Sequence, residues 1–549
     1  MSSDPGPSRV NKNGRGPWGK INALTFDGGG IRGYYSLLQL RKLMECIAEE
    51  ERNVQQSRSE PAEFISSFSP LPVPPNVSHS NPPDLTPFLP CHYFDYISGT
   101  STGSLITIML GRFRMTVDDC ISEYEKLAGD VFGHPRTFHQ VGSLGAFIHR
   151  HKFSASKLER AIKDVVQRRG ETPNNRDDSE AVLFGTPRGL CRALIFVQRR
   201  TLSGDNNSSR AAWTDTVIYR SYDNFRRAAP AGGRVRPRAS VLTGPRTPGQ
   251  STTLAVWKLA RAATAAYLYF KPLQIALEDG EIVRGKRSRK ALTGGVAVLT
   301  DGGFGPQNNP SEEVYNELKT ILPDSKSVQV FVSIGTARSP PRPDQNAELR
   351  LRTVLRFAVD RVGDPEASHR RMEIFSAADG FLYYRFNEPN ALEGVDLDDW
   401  KPRGSGANSG IDTMEKIRSS FNRYWEDAEV QEDFRNCARE LVAIRRERTK
   451  DKSLWERFAL GTTYTCREDR CKYEPDQTWE YRDQFIRHLV DDHGITISEN
   501  QTEALRTGGL RWDYKKSKTA QAEEPPQATP ATQAPQEGDS SQSTGSTST

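Results

Sequence analysis

The chain has 549 residues, with 75 Lys and Arg against 70 Asp and Glu and a formal charge of +5, a balance too even to imply nucleic-acid binding by the whole protein. At roughly 100 to 200 residues per domain, the length allows two to four domains or one large α/β domain with additions. Counting glycine and leaving out tyrosine, about 41% of the residues are apolar, slightly under the globular norm, so a sizeable core is expected beside some chain that lacks one. Seven cysteines, at 46, 91, 120, 191, 437, 466 and 471, form no framework before the last pair, which argues for a reducing compartment. Met1–Lys20 holds no apolar stretch of signal-peptide length, and no window reaches eighteen apolar residues. A cytoplasmic chain, touching membranes from the surface if at all, is the expectation.

In chain order, residues 1–18 read as a flexible leader and Ile21–Phe26 as a strand. A glycine loop follows, then a helix from Tyr34 to about Glu50 with apolar spacing at Leu37, Leu38, Leu40, Met44 and Ile47. Nine prolines between Asn53 and Pro90 mark residues 53–90 as an unstructured insertion. Tyr93–Ile97 reads as a strand and Leu105–Leu110 as the helix after it. Strand-like runs at Ala193–Val197, Thr216–Tyr219, Val296–Leu299 and Val328–Ile334 alternate with helix-like ones at Thr252–Ala266 and Ser311–Leu322, the signature of an α/β layer fold. Residues 19–345 form one domain on this reading, 346–458 a helical extension, 462–496 a small module, and 515–549 a disordered tail; from 521 on, the tail has no Leu, Ile, Val or aromatic residue.

Gly99-Thr100-Ser101-Thr102-Gly103 fits G-x-S-x-G, whose small residues let a strand turn sharply into a helix and leave the serine hydroxyl exposed. An acyl-transfer serine also needs donors for an oxyanion, and the amides of a glycine loop suit. Gly28-Gly29-Gly30-Ile31-Arg32-Gly33 supplies one. It also matches G-x-G-x-x-G, the dinucleotide fingerprint, but the acids about twenty residues on, Glu49 to Glu51, sit at a helix end and not at a strand end. Arg32 reads equally as a brace for the loop and as a surface residue at a helix start. The serine needs a base, and Asp301-Gly302-Gly303 follows the strand-like run at Val296–Leu299. His369 alone completes the order Ser, Asp, His, although it lies in a charged stretch without a strand before it.

With these three motifs in order, the sequence resembles the patatin-like phospholipase family. Asp27 to Gly33 matches the family's oxyanion loop, Ser101 with Gly99 and Gly103 its nucleophile elbow, and Asp301 with Gly302 and Gly303 its aspartate motif. Ala262–Ala266, Tyr269–Pro272, Asn308–Pro310 and Val332–Thr336 are also similar to family segments, so the likeness covers roughly residues 21–340. It implies a three-layer α/β/α domain with a mainly parallel sheet. It further implies a Ser101–Asp301 dyad without histidine, an oxyanion hole drawn from Gly28, Gly29, Gly30 and Arg32, an acyl-serine intermediate on a phospholipid or other acyl lipid, and no cofactor for catalysis. The competing readings are a catalytically idle lipid-binding protein and a Ser-Asp-His esterase using His369.

Two insertions are basic. Residues 226–250 hold six arginines and 284–290 five basic residues, with no acid in either, which suits solvated loops or contact with anionic lipid headgroups. Farther on, Cys466 and Cys471, then His488 and His493 after sixteen residues, are the donor types of a tetrahedral zinc site. With Tyr464, Trp479 and Phe485 in register, residues 462–496 resemble a C2H2-type zinc finger, a ββα module with a lengthened hairpin loop. Five basic residues against eight acids in this segment oppose duplex binding and favour a structural or protein-contact role.

Overall fold

The computed structural model describes residues 16–57, 65–71, 88–133, 151–170, 179–202, 214–224, 251–266, 269–276, 282–283, 295–303, 306–322, 327–337, 364–388, 391–392, 395, 397–400, 412–466, 468, 471–474, 477–496 and 506–508. Strand β1 (Ile21–Phe26) passes through a 3-10 turn at Gly30–Arg32 into helix α1 (Gly33–Ser57). Strand β2 (Tyr96–Thr100) runs into α2 (Thr102–Thr107), a π-helical stretch at Ile108–Arg112, α3 (Val117–Phe132) and α4 (Ala155–Arg169). Next come β3 (Arg192–Leu202), β4 (Thr214–Arg220), α5 (Val256–Ala263), β5 (Leu273–Ala276), β6 (Val296–Asp301), α6 (Ser311–Ile321), β7 (Val328–Ile334), α7 (Pro365–Asp379) and β8 (Leu382–Phe386). The chain continues through α8 (Thr413–Trp425), α9 (Ala428–Arg448) and α10 (Lys452–Leu460) to β9 (Thr463–Thr465), β10 (Thr478–Trp479), α11 (Arg482–His493) and β11 (Arg506–Gly508).

Eight strands form the central sheet in the order β5-β6-β3-β2-β1-β7-β8, with β4 also on β3. The strands from β8 to β3 pair in parallel, whereas β4 and β6 join β3, and β5 joins β6, antiparallel. Alternation along the buried strands sends side chains to two faces. Leu24, Phe26, Ile97, Ala193 and Ile195 enter one core with α1, α3, α4, α5, α8 and α9, while Ala23, Tyr96, Leu194 and Phe196 enter a second with α6 and α7. The result is the three-layer α/β arrangement expected from the sequence.

Where the chain differs from its sequence reading, long-range contacts are the cause. Helix α1 runs on to Ser57, since Glu51 near its end is fully buried and accepts from Arg445 and Arg446 of α9 and from Tyr93. Phe68 and Leu71, inside the proline-rich stretch, are buried, and the Phe68 carbonyl accepts from the Trp455 indole. Trp18, at the end of the supposed leader, packs on Trp455 and Phe458. Residues 346–458 are not only helical: β8 extends the main sheet, and Phe434, Cys437, Ala438 and Leu441 of α9 share the core of α1. The basic stretches 226–250 and 284–290 lie outside the described residues, apart from the leader's end so do residues 1–15, and so does the tail 515–549. No described helix is long and apolar enough to cross a membrane.

Candidate active site

One edge of β3 builds the site. Thr100 of β2 pairs with Phe196, and Asp301 of β6 pairs with the next residue, Val197. β4 pairs with Leu194 to Arg200, so it holds the opposite edge, and β2 and β6 share the first. One runs parallel to β3 and the other antiparallel, so their C-terminal ends meet head-on. Ser101 and Asp301 are the residues at that junction.

Ser101 sits in the turn from β2 to α2 with φ 55° and ψ −122°, a backbone strain characteristic of reactive sites. Its flanking glycines are sterically required. A Cβ on Gly99 would lie 2.1 Å from the Gly103 carbonyl oxygen, and one on Gly103 would lie 2.6 Å from that of Phe26. The Ser101 hydroxyl donates to Asp301 Oδ2 at 2.5 Å, and the Gly303 amide donates to Oδ1 at 2.8 Å. Gly302 is packed so closely that a Cβ would meet the Phe196 carbonyl at 2.7 Å. Burial pushes the Asp301 carboxyl up to about 7, against the lowering effect of the hydrogen bonds from Ser101 and Gly303. Its protonation therefore changes near neutrality, where a general base is most effective.

The glycine loop closes on the serine from the end of β1, parallel to β2. A Cβ on Gly28 would approach that of Ser101 to 3.1 Å, and Gly30 has φ 57°. The three glycines do not contribute alike. The Gly28 amide donates to the Asn308 carbonyl at 2.9 Å, which removes it from the expected oxyanion set. The amides of Gly29 and Gly30 donate to no acceptor among the described residues. The plane of the Gly29 amide is held by Thr336 Oγ1 donating to Gly28 O and that of the Gly30 amide by the Arg32 amide donating to Gly29 O, while Tyr124 Oη donates to Gly30 O in the next plane. Arg32 itself is buried and does not line the pocket, so it braces the loop through its backbone. Gly33 gives room to Tyr124, whose hydroxyl would lie 2.5 Å from a Cβ there.

A pocket of about 850 Å³, partly open to solvent, extends from this junction. Ser101, Asp301 and the glycine loop line one end, and Leu105, Leu127, Val131, Phe132, Leu158 and Phe270 make apolar walls. No histidine lines it among the described residues. His369, the sequence candidate for a third member, lies on α7 with Nδ1 3.3 Å from Tyr383 Oη and Nε2 3.6 Å from Glu373, while both Asp301 oxygens have other partners. The spacing of the motifs did not reveal Asn308 as the partner of the Gly28 amide, nor Leu397, whose carbonyl accepts from the Ile31 amide at 2.8 Å.

A second cluster lies on the β9–β10 hairpin and α11. Donor atoms of Cys466, Cys471, His488 and His493 all lie within 4.8 Å of one another. Cys466 Sγ is 3.4 Å from His493 Nε2, and Cys471 Sγ is 3.6 Å from His488 Nε2. Asp492 Oδ2 lies 2.7 Å from His488 Nδ1, leaving Nε2 turned to the cluster, and Tyr464, Phe485 and Leu489 form a small core beneath. Two thiolates and two imidazoles within such reach fit a tetrahedral metal ion.

A strained serine on a strand-to-helix turn, an aspartate as its hydrogen-bond partner and a facing glycine loop define an α/β protein built around a serine–aspartate pocket. The model of the patatin-like phospholipase family matches residues 24–315, and the chain belongs to that family. It is 26% identical to rat (Rattus norvegicus) calcium-independent phospholipase A2-gamma over 383 residues, which are 69% of this chain and 36% of the relative. The human (Homo sapiens) protein of that name is 25% identical over 382 residues, again 69% of this chain and 36% of the relative. Phospholipase A I of Arabidopsis thaliana is 22% identical over 333 residues, 56% of this chain and 23% of the relative. The matched part is thus about a third or less of each relative's length.

Proposed function

We propose that the chain is a lipid acyl-ester hydrolase of phospholipase A type, working through Ser101 and Asp301. The observation that carries this is the 2.5 Å hydrogen bond from a strained serine to a buried carboxyl pushed up to about 7, at the end of a pocket with apolar walls. Ionised Asp301 takes the Ser101 proton as the hydroxyl attacks the ester carbonyl, and the amides of Gly29 and Gly30 hold the oxyanion. As the C–O bond breaks, protonated Asp301 returns its proton to the leaving alcohol. Water, activated by the same carboxylate, then resolves the acyl-serine and releases the carboxylic acid. The relatives' names, phospholipase A2-gamma and Phospholipase A I, support a glycerophospholipid as substrate.

Hydrolysis of a chromogenic acyl ester tests this reading with Ser101→Ala and His369→Ala variants. The expected outcome is loss by at least about 10³-fold for Ser101→Ala and near-normal turnover for His369→Ala. Loss with both would replace the dyad by a triad. No turnover by the unmodified protein, with vesicle binding retained, would instead make the chain a lipid-binding protein.

We further propose that Cys466, Cys471, His488 and His493 hold one structural zinc ion in a C2H2-type finger. Support comes from the four donors' mutual reach and from the carboxylate behind His488. Purified protein should release one zinc per chain on unfolding; a metal-free native chain would end the proposal.

A further inference from the structure

The residue before the glycine loop, Asp27, is a carboxylate with almost no exposed surface. A buried charge persists only with a partner of good geometry. Its partner is Arg385, whose Nη1 donates to Oδ1 at 3.0 Å and whose Nη2 donates to Oδ2 at 2.7 Å. Such a two-pronged pair fixes orientation as well as charge. Arg385 belongs to β8, which is separated from β1 by β7, and its side chain crosses β7 with Nη1 donating to Ser333 Oγ at 2.9 Å on the way. Nη2 also donates to Glu366 Oε1 at 2.9 Å on α7, an oxygen that Asn387 Nδ2 shares at 3.1 Å. The guanidinium is therefore held on three sides. Burial alone would lower its pKa, but the Asp27 charge and hydrogen bonds reverse this and keep it cationic.

We propose that Arg385 is a positioning residue for the oxyanion loop, fixing Asp27 and through it the direction of the Gly29 and Gly30 amides toward Ser101. The residue lies beyond 24–315, the part matched to the family, so the C-terminal region completes the active site and does more than flank it. From Asp27 the chain has one residue before the first of the two free amides. The loop's own carbonyls are tied by Thr336, Arg32 and Tyr124, its first two amides by the carbonyls of Ile334 and Asn308, and the Asp27 side chain adds a side-chain anchor at its start. Without that anchor, the amides keep their chemistry but lose the alignment that makes them effective at the transition state.

The inference rests on the hydrolase reading for its kinetic part, so its test has a second readout that does not need turnover. Arg385→Gln takes the guanidinium counterion from the buried Asp27 carboxylate and risks unfolding. The deciding variant is therefore Asp27→Asn/Arg385→Gln, which removes both charges, with Arg385→Lys beside it. Expected for the double variant, at an unchanged circular-dichroism spectrum, are a fall in kcat of about 100-fold with KM within about threefold and faster amide exchange across residues 27–33. Arg385→Lys, which keeps the charge but not the fork, should lose about tenfold. A double variant with the kcat and the exchange rates of the unmodified protein overturns the proposal. If the unmodified protein turns over no ester, the hydrolase reading falls by itself; loop exchange then decides, faster exchange supporting the positioning role and unchanged exchange overturning it.

Discussion

In the proposed mechanism, Asp301 should govern the pH dependence of stability as well as of rate. Its carboxyl is buried and pushed up from 3.8 to about 7 by desolvation, so near neutral pH it is divided between the acid and the base. Only the ionised form can take the Ser101 proton. Hydrolysis is therefore expected to fall below about pH 7 as a single-proton step in kcat/KM, and a profile flat down to pH 5 would remove Asp301 as the base. Stability runs the other way. A raised folded-state pKa means that the native state holds the proton more tightly, so the group's contribution is complete below the unfolded value near 4 and is lost as pH rises through about 7. By linkage the loss is on the order of 4 kcal/mol. Asp301→Asn cannot ionise, so its melting temperature should gain on that of the unmodified protein between pH 5 and pH 8 while activity disappears. Parallel melting curves for the two proteins across that range would contradict the assigned shift.

At the scale of elements, the parts of the site written in local spacing were legible and the parts made by distant contacts were not. The turn from β2 to α2 could be read because Gly99, Ser101 and Gly103 lie within five residues and each glycine answers a local steric demand. Asp301 could be read for a similar reason: a strand ends there, and the next residue must be glycine to pass the Phe196 carbonyl. Spacing could not show which loop amides remain free, since the Gly28 amide is taken by a carbonyl on another segment, that of Asn308. Arg385 was hidden more deeply. It meets Asp27 across 358 positions, and β8 is a five-residue edge strand among helices, too short to announce itself by alternation. In the proline-rich stretch the described residues 65–71 gave no signal of this kind either, yet Phe68 and Leu71 are buried. The Cys466–His493 cluster was the opposite case, where four donor residues in one short segment were enough to name the candidate ligands and to locate the strands and helix that carry them.

Across the whole molecule, α10 joins the Cys466–His493 module to the patatin-like core. On one side Glu456, fully buried, accepts from Tyr464 Oη at 2.6 Å and from Arg482 Nε and Nη2 at 2.9 and 3.1 Å. On the other, the carbonyls of Phe458 and Ala459 accept from the buried Arg114 guanidinium, which follows the helical run that begins at the Ser101 turn. Trp455 and Arg457 of the same helix donate to the carbonyls of Phe68 and Arg188. A small module of this kind draws much of its folding energy from the ion it binds. If the module holds the proposed zinc, its loss takes Tyr464 and Arg482 from their fixed places and leaves Glu456 as a poorly compensated buried charge on a helix the core depends on. Metal removal is therefore expected to destabilise the patatin-like domain as well as the module. A strong chelator, or Cys466→Ser, should lower the melting temperature of the whole chain by more than about 5 °C, taking 2–4 °C per kcal/mol for a domain of this size, and zinc should restore the chelated protein. Zinc release without any change in that transition would mean that the module folds and unfolds independently and that the Glu456 bridge carries no coupling.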